Sequence, residues 1–159
     1  MKHRRVVFLD IDGVLNDVHF IDAALAEAER TGEQPPDPVA ALAALIDARR
    51  VGYLNQIVEE SGAEVVAATS WREILSVDEL DDALRRNGFC TRLSGATPQE
   101  PARRGEQIAQ WLAENEGVEA FVVLDDHHDT SPVEAATLRT DNTVGLTDAH
   151  VREAIRRLA

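Results

Sequence analysis

One cysteine, one lysine and no apolar run near the roughly 20 residues that span a bilayer are the first features of this 159-residue sequence. The single cysteine, Cys90, excludes an internal disulfide and any zinc site built from several cysteines, and reads as a small buried hydrophobe. No segment is expected to enter a membrane. The stretch from Val6 to Leu9 is too short for a signal-peptide core and is broken by Asp10, so the expected compartment is the cytoplasm. Basic residues are also scarce, 16 Lys and Arg against 29 Asp and Glu, giving a net charge of −13. Such a field repels polyanions at long range, which disfavours broad, sequence-independent nucleic-acid binding and suits a small phosphorylated substrate better. Clustering of Arg72, Arg85, Arg86, Arg92, Arg103 and Arg104 leaves room for a local positive pocket, so a nucleic-acid end stays open as a partner. Internal repeats, long charge runs and linkers are lacking too, so residues 1–159 read as one domain, and no pattern specifies an oligomeric state.

What is present is an alternation. Arg5 to Leu9 is a continuous apolar, β-rich run that ends in Asp10-Ile11-Asp12-Gly13, the pattern of a buried parallel strand entering a turn. Further strands are expected at Glu64 to Ala68, Ala120 to Leu124 and Thr137 to Thr140, with another near Cys90 to Leu93. Helical patterns lie between them: Val51, Leu54, Ile57 and Val58; Ile108, Trp111 and Leu112; and, last, Val151, Ala154, Ile155 and Leu158. The helix after Ser76 opens with a capping box to Glu79 and stops at Asn87-Gly88. The alternation predicts an α/β fold, a doubly wound, Rossmann-like parallel sheet with its site at the carboxyl ends of the strands. Residues 17–50 exceed what a crossover needs and read as a small helical cap or flap insertion, split by Gln34-Pro35-Pro36-Asp37-Pro38.

Polar residues follow the strands in a pattern: Asp10 and Asp12 after the first, Thr69 and Ser70 after the second, Asp125 and Asp126 after the third. Parallel strands bring these to one edge, where carboxylates from different strands repel unless a cation lies between them; hard oxygen ligands suit Mg²⁺. A lone aspartate at a strand end is ordinarily a turn former or helix cap. Asp10, Asp12, Thr69, Asp125 and Asp126 together, each after one of three apolar runs, are not explained that way.

Phe8 to Leu15 (F-L-D-I-D-G-V-L) resembles the first motif of the haloacid dehalogenase-like (HAD) hydrolase superfamily, Thr69 its second-motif hydroxyl, and Leu124-Asp125-Asp126 with Asp129 its acidic fourth motif. Thr69-Ser70-Trp71-Arg72, Arg104-Gly105 ahead of Ile108, Trp111 and Leu112, and Gly145-Leu146-Thr147 are similar to small bacterial HAD domains, some of them associated with RNA repair proteins. The resemblance implies a phosphatase in which Asp10 is the nucleophile and forms an aspartyl-phosphate, while Asp12 protonates the leaving oxygen and later deprotonates water. It implies Mg²⁺ held by the Asp10 carboxylate, the Asp12 backbone carbonyl and Asp126, with Asp125 the alternative to Asp126. Thr69 would bind phosphoryl oxygens, Gly13 would allow the tight turn, and Ser70 and Arg72 would meet the substrate. The superfamily pattern also wants a cation, usually lysine, beside the phosphate; Lys2 lies before the first strand, so an arginine must serve. Arg104 is the first choice and Arg103 the second, and either can clamp phosphate but not act as a base.

Each of the other polar residues has a plainer reading beside the chemical one. Arg72 fits either a second phosphate or a structural ion pair. His127 and His128 read as loop residues beside the acidic motif, because zinc needs three or four ligands. Trp71 and Trp111 read as core or cap contacts, and Asp141, Asp148 and His150 as turn and cap chemistry. Asp12 argues against a dehalogenase, the small insertion against a phosphomutase, and the missing lysine against a phospho-receiver module. A non-catalytic Mg²⁺- or phosphate-binding module would be expected to lack Asp10 or Asp12, and both are present.

Overall fold

The computed structural model describes residues 3–159; Lys2, the chain's single lysine, lies outside the described residues. Strand β1 (Arg4–Leu9) is followed by helices α1 (Val18–Thr31), α2 (Pro38–Ala43) and α3 (Ala48–Ser61), then β2 (Glu64–Ala67) and α4 (Val77–Arg86). Next come β3 (Gly95–Ala96), α5 (Arg104–Glu114), β4 (Val118–Asp125), β5 (Thr137–Arg139) and α6 (Asp148–Leu158). Every strand pair is parallel, and the order across the sheet is β3-β2-β1-β4-β5. The order therefore reverses direction between β1 and β4, the crevice where open α/β sheets bind ligands.

Strand β1 is buried on both faces because its alternate residues enter two different cores. Val7 and Leu9 pack with Val65, Ala67, Val122 and Leu124 under α2, α3, α4 and α6. Val6 and Phe8 face the other way, onto Ile108 and Trp111 of α5. Phe8 meets Trp111 edge to face at a centroid distance of 5.3 Å, which makes Trp111 a core residue. The expected capping box of α4 is present between Ser76 and Glu79, and Asn87 ends that helix before Gly88 at φ +92°.

Two expectations are corrected. The strand foreseen near Cys90 to Leu93 is a bend, and the edge strand is two residues long at Gly95–Ala96, paired with Val66 and Ala67. Thr91 and Arg92 are exposed, and the Leu93 amide donates to Asp81 Oδ1 at 2.8 Å instead of to a neighbouring strand. Cys90 is exposed rather than buried: after Gly88 it is Phe89 that turns into the core, while the Cys90 amide donates to Asn55 Oδ1. Within residues 17–50, α1 contains no buried residue, whereas Val39 and Ala43 of α2 and Ile46 beyond it join the main core. No helix is long and apolar enough to cross a membrane among the described residues.

Candidate active site

The register sets the site. Leu9 pairs with Leu124 on one side and with Ala67 on the other, so Asp10 and Asp125 leave the sheet side by side, with Thr69 just beyond the end of β2. The Asp10 amide continues the ladder by donating to Leu124 O at 3.0 Å. Asp10 is 4% exposed and Asp125 wholly buried, an arrangement that costs several kcal/mol per ionised group unless charge is balanced nearby. Arg104, the first residue of α5, supplies part of that balance: its Nη1 donates to Asp125 Oδ2 at 2.8 Å and lies 3.5 Å from Asp10 Oδ1. The other Asp125 oxygen accepts the His127 amide at 2.9 Å. Burial, followed by the charge of Asp125, raises the Asp10 carboxyl to about 7 against the opposing pull of Arg104, the Ile11 amide and the Thr69 hydroxyl.

Asp126, next to Asp125 in sequence, is only half-buried, and burial together with Asp125 raises its pKa as well. It stands against Gly13, where φ is +78° and an added Cβ would lie 2.3 Å from Asp126 Oδ2. Glycine is required there twice over, by conformation and by space. Asp10, Asp125, Asp126 and His127 each place a ligand-type atom within 4.8 Å of the others. Three clustered carboxylates with one guanidinium beside two of them leave negative charge uncompensated, and their hard oxygens fit a small divalent cation.

A profile of the family described as the HAD domain in Swiss Army Knife RNA repair proteins matches residues 6–151. This chain belongs to that family. Membership of the HAD superfamily, foreseen from the Asp10 and Asp12 motif, follows with it. Among solved structures the chain is similar to a haloacid dehalogenase-like family hydrolase from Streptococcus pneumoniae, at 14% identity and a TM-score of 0.48, covering 97% of this chain and 92% of that one. No curated protein matches.

In this HAD domain the remaining residues singled out above divide between the cluster, the cleft beside it and the periphery. Asp12 stands apart from the cluster and is exposed: its Oδ1 accepts from Asn16 Nδ2 at 3.1 Å and its Oδ2 from Trp71 Nε1 at 3.0 Å. Thr69 is buried, and its hydroxyl both faces Asp10 and accepts the Trp71 amide at the start of a 3₁₀ turn over Ser70–Glu73. Beside the cluster opens a cleft of about 290 Å³ whose walls include Ser70, Arg72, Arg103, Arg104, His127 and Asp129. Neither Arg72 nor Arg103 has a carboxylate within ion-pair distance among the described residues, so of the two readings of Arg72 the structural ion pair is not formed. His128 turns the opposite way, its carbonyl accepting from Arg139 Nη2 at 2.9 Å. Asp141 accepts from Thr143, Asp148 pairs with Arg152, and His150 closes the N-terminus of α6 with Thr147, all turn and cap roles.

Several contributors escaped the motif reading. Asn16 is wholly buried and joins the Gly13 amide, Asp12 and Leu45 O. Arg50 is buried between Asp17 and Asp47 and donates to Val144 O, tying the base of α1 to the loop before α6. Thr140 donates to Gly13 O at 2.6 Å. Gly105 lets α5 approach the chain closely enough to present Arg104, since a Cβ there would lie 2.1 Å from Ser131 O. Only Gly105 carried a signal, through its place beside Arg104; the others sit in stretches with no distinguishing pattern.

Proposed function

We propose that this HAD domain is a Mg²⁺-dependent phosphatase that hydrolyses a phosphomonoester through an aspartyl-phosphate on Asp10. The observation that carries the reading is the division of its aspartates: Asp10 lies buried in a carboxylate cluster with Arg104, while Asp12 is held outside that cluster and exposed. That division suits Asp10 to act as the nucleophile and Asp12 as the proton carrier. Asp10 attacks phosphorus, an Asp10 oxygen–phosphorus bond forms as the ester P–O bond breaks, and Asp12 gives its proton to the departing oxygen. Asp12 then takes a proton from the water that hydrolyses the acyl phosphate, releasing inorganic phosphate and restoring Asp10. Arg104 and the Thr69 hydroxyl hold phosphoryl oxygens during both steps, so Arg104 rather than Arg103 is the clamp. Mg²⁺ would be held by Asp10, Asp126 and the Asp12 carbonyl and would supply charge neutralisation. Asp125, with both oxygens already engaged by Arg104 and the His127 amide, anchors the clamp instead.

The cleft supports a second reading of the substrate. Ser70, Arg72 and Arg103 line space beyond the reacting centre, and two guanidiniums without carboxylate partners suit a further phosphate, as at a phosphorylated nucleic-acid end. The family description, which names RNA repair proteins, favours the same substrate over a small metabolite. The test has two parts. Release of phosphate from 4-nitrophenyl phosphate is expected with Mg²⁺ and lost with EDTA or in Asp10→Asn; activity that survives either overturns the mechanism. A panel of sugar phosphates, nucleotides and 3′- or 5′-phosphorylated oligonucleotides then decides between the two substrates.

A further inference from the structure

The segment Thr69-Ser70-Trp71-Arg72 serves three parts of the site within four residues. Thr69 faces Asp10, Arg72 lines the cleft, and the Trp71 indole N–H is directed at Asp12, 59 residues away in sequence. Trp71 is 5% exposed, its ring packed in the main core, and its backbone amide is capped by Thr69. Its N–H is thus presented from a fixed ring rather than from a mobile side chain. The second donor is equally constrained. Asn16 Oδ1 accepts the Gly13 amide at 2.9 Å, and an amide N–H can meet only the oxygen of that side chain, so the Asn16 NH₂ group must point at Asp12 Oδ1 and Leu45 O.

We infer that Trp71 is a positioning residue for Asp12: its indole N–H, with the Asn16 amide, fixes the Asp12 carboxylate in the orientation from which it delivers a proton to the leaving oxygen. The inference rests on the phosphatase reading above and adds to it a group that touches neither the phosphate nor a metal-ligating atom. An exposed aspartate left to itself samples several rotamers, and one in which the carboxylate swings away cannot protonate anything. Each Asp12 oxygen accepts one N–H, and an indole nitrogen is a donor only. Trp71 therefore orients the carboxylate without competing for the proton it carries, and one lone pair per oxygen is left to do the transfer.

The consequence is specific to leaving groups that need a proton. 4-Nitrophenolate departs readily unprotonated, whereas phenolate departs with difficulty, so loss of aligned proton donation falls on phenyl phosphate. Because kcat/KM covers the reaction up to transfer of the phosphoryl group to Asp10, it isolates this step from later hydrolysis. The wild-type chain, Trp71→Phe and a chain carrying 3-benzothienylalanine at position 71, which matches tryptophan in shape but has sulfur in place of N–H, are compared on both esters with Mg²⁺ present. The expected result is a fall in kcat/KM of roughly tenfold or more on phenyl phosphate, with 4-nitrophenyl phosphate changed by less than about threefold, in both variants. The ratio of the two esters does not depend on how much of a preparation is folded. Equal losses on both esters, or no loss with the volume-matched analogue, overturn the positioning role and leave the phosphatase reading intact. A wild-type chain that turns over neither ester overturns that reading, and this inference with it.

Discussion

Replacing Arg104 by methionine removes the guanidinium that stands between Asp10 and Asp125 while keeping most of its stem. Its Nη1 lies 2.8 Å from one carboxylate and 3.5 Å from the other, and the three side chains are 12%, 5% and 0% exposed. Taking one partner from a buried ion pair costs about 3–5 kcal/mol when the charge left behind stays ionised. Here it need not stay ionised. The Asp10 carboxyl is already raised to about 7 with Arg104 opposing the shift, so in the variant it rises further. A carboxyl raised above its unfolded value near 3.8 gives stability that is complete at low pH and lost as pH rises through the folded value. The variant should therefore fall further below wild type as pH rises past about 7, by about 2 kcal/mol more near pH 8.5 than near pH 5, in EDTA. Urea unfolding at the two pH values measures the difference, and Mg²⁺ should restore part of the loss at the higher pH. Arg104→Lys should recover most of it, since a lysine supplies the same charge. A deficit of the same size at both pH values would refute the reasoning and make Arg104 a packing residue.

Three further outcomes are expected. Binding of Mg²⁺ must displace protons from carboxyls whose pKa values are raised, Asp10 and Asp126, so calorimetry in buffers of different ionisation enthalpy should show proton release near pH 6.5 that fades by about pH 8.5. Gly13→Ala drives a methyl into Asp126 and forces a left-handed residue; it should cost about 1–3 kcal/mol and abolish the Mg²⁺-dependent rise in melting temperature. Burial pushes the Asp17 carboxyl up, but the Phe20 amide and Arg50 outweigh it and hold the pKa below the ordinary value. Its contribution is present above the unfolded pKa and lost as pH falls through the folded one, so Asp17→Asn should cost roughly 1–3 kcal/mol at neutral pH and little near pH 2.5 in urea titrations.

Much of the fold was legible because its signals are local. The apolar run before Asp10, the capping box at Ser76 and the alternation of strand and helix periods each need only neighbouring residues, and each is found. The two-residue edge strand was misplaced because an edge pairs on one side only and carries no apolar run to mark it. Cys90 was misjudged because its side of the chain is decided by the turn at Gly88. In the site, Asp10, Asp125, Asp126, Thr69 and Arg104 come together because parallel strands and one helix start must deliver them to the same edge. Asn16 and Arg50 were not legible, because a buried asparagine or arginine looks in sequence like any exposed one.

What the sequence determined by itself is which chemical groups arrive at the carboxyl edge: strand endings followed by acids, a hydroxyl and a helix-borne arginine admit few other arrangements once the sheet is parallel. What only the tertiary structure decided is the surroundings each of those groups meets. Asp125 and Asp126 are adjacent and identical in type, yet one is sealed under Arg104 and the other faces Gly13. Asp10 and Asp12 are two residues apart, yet one is buried among carboxylates and the other is held outside them by an indole from a different strand's end. Burial, dielectric and hydrogen-bond partners come from residues distant in the chain, and they, rather than residue type, give each aspartate its own chemistry.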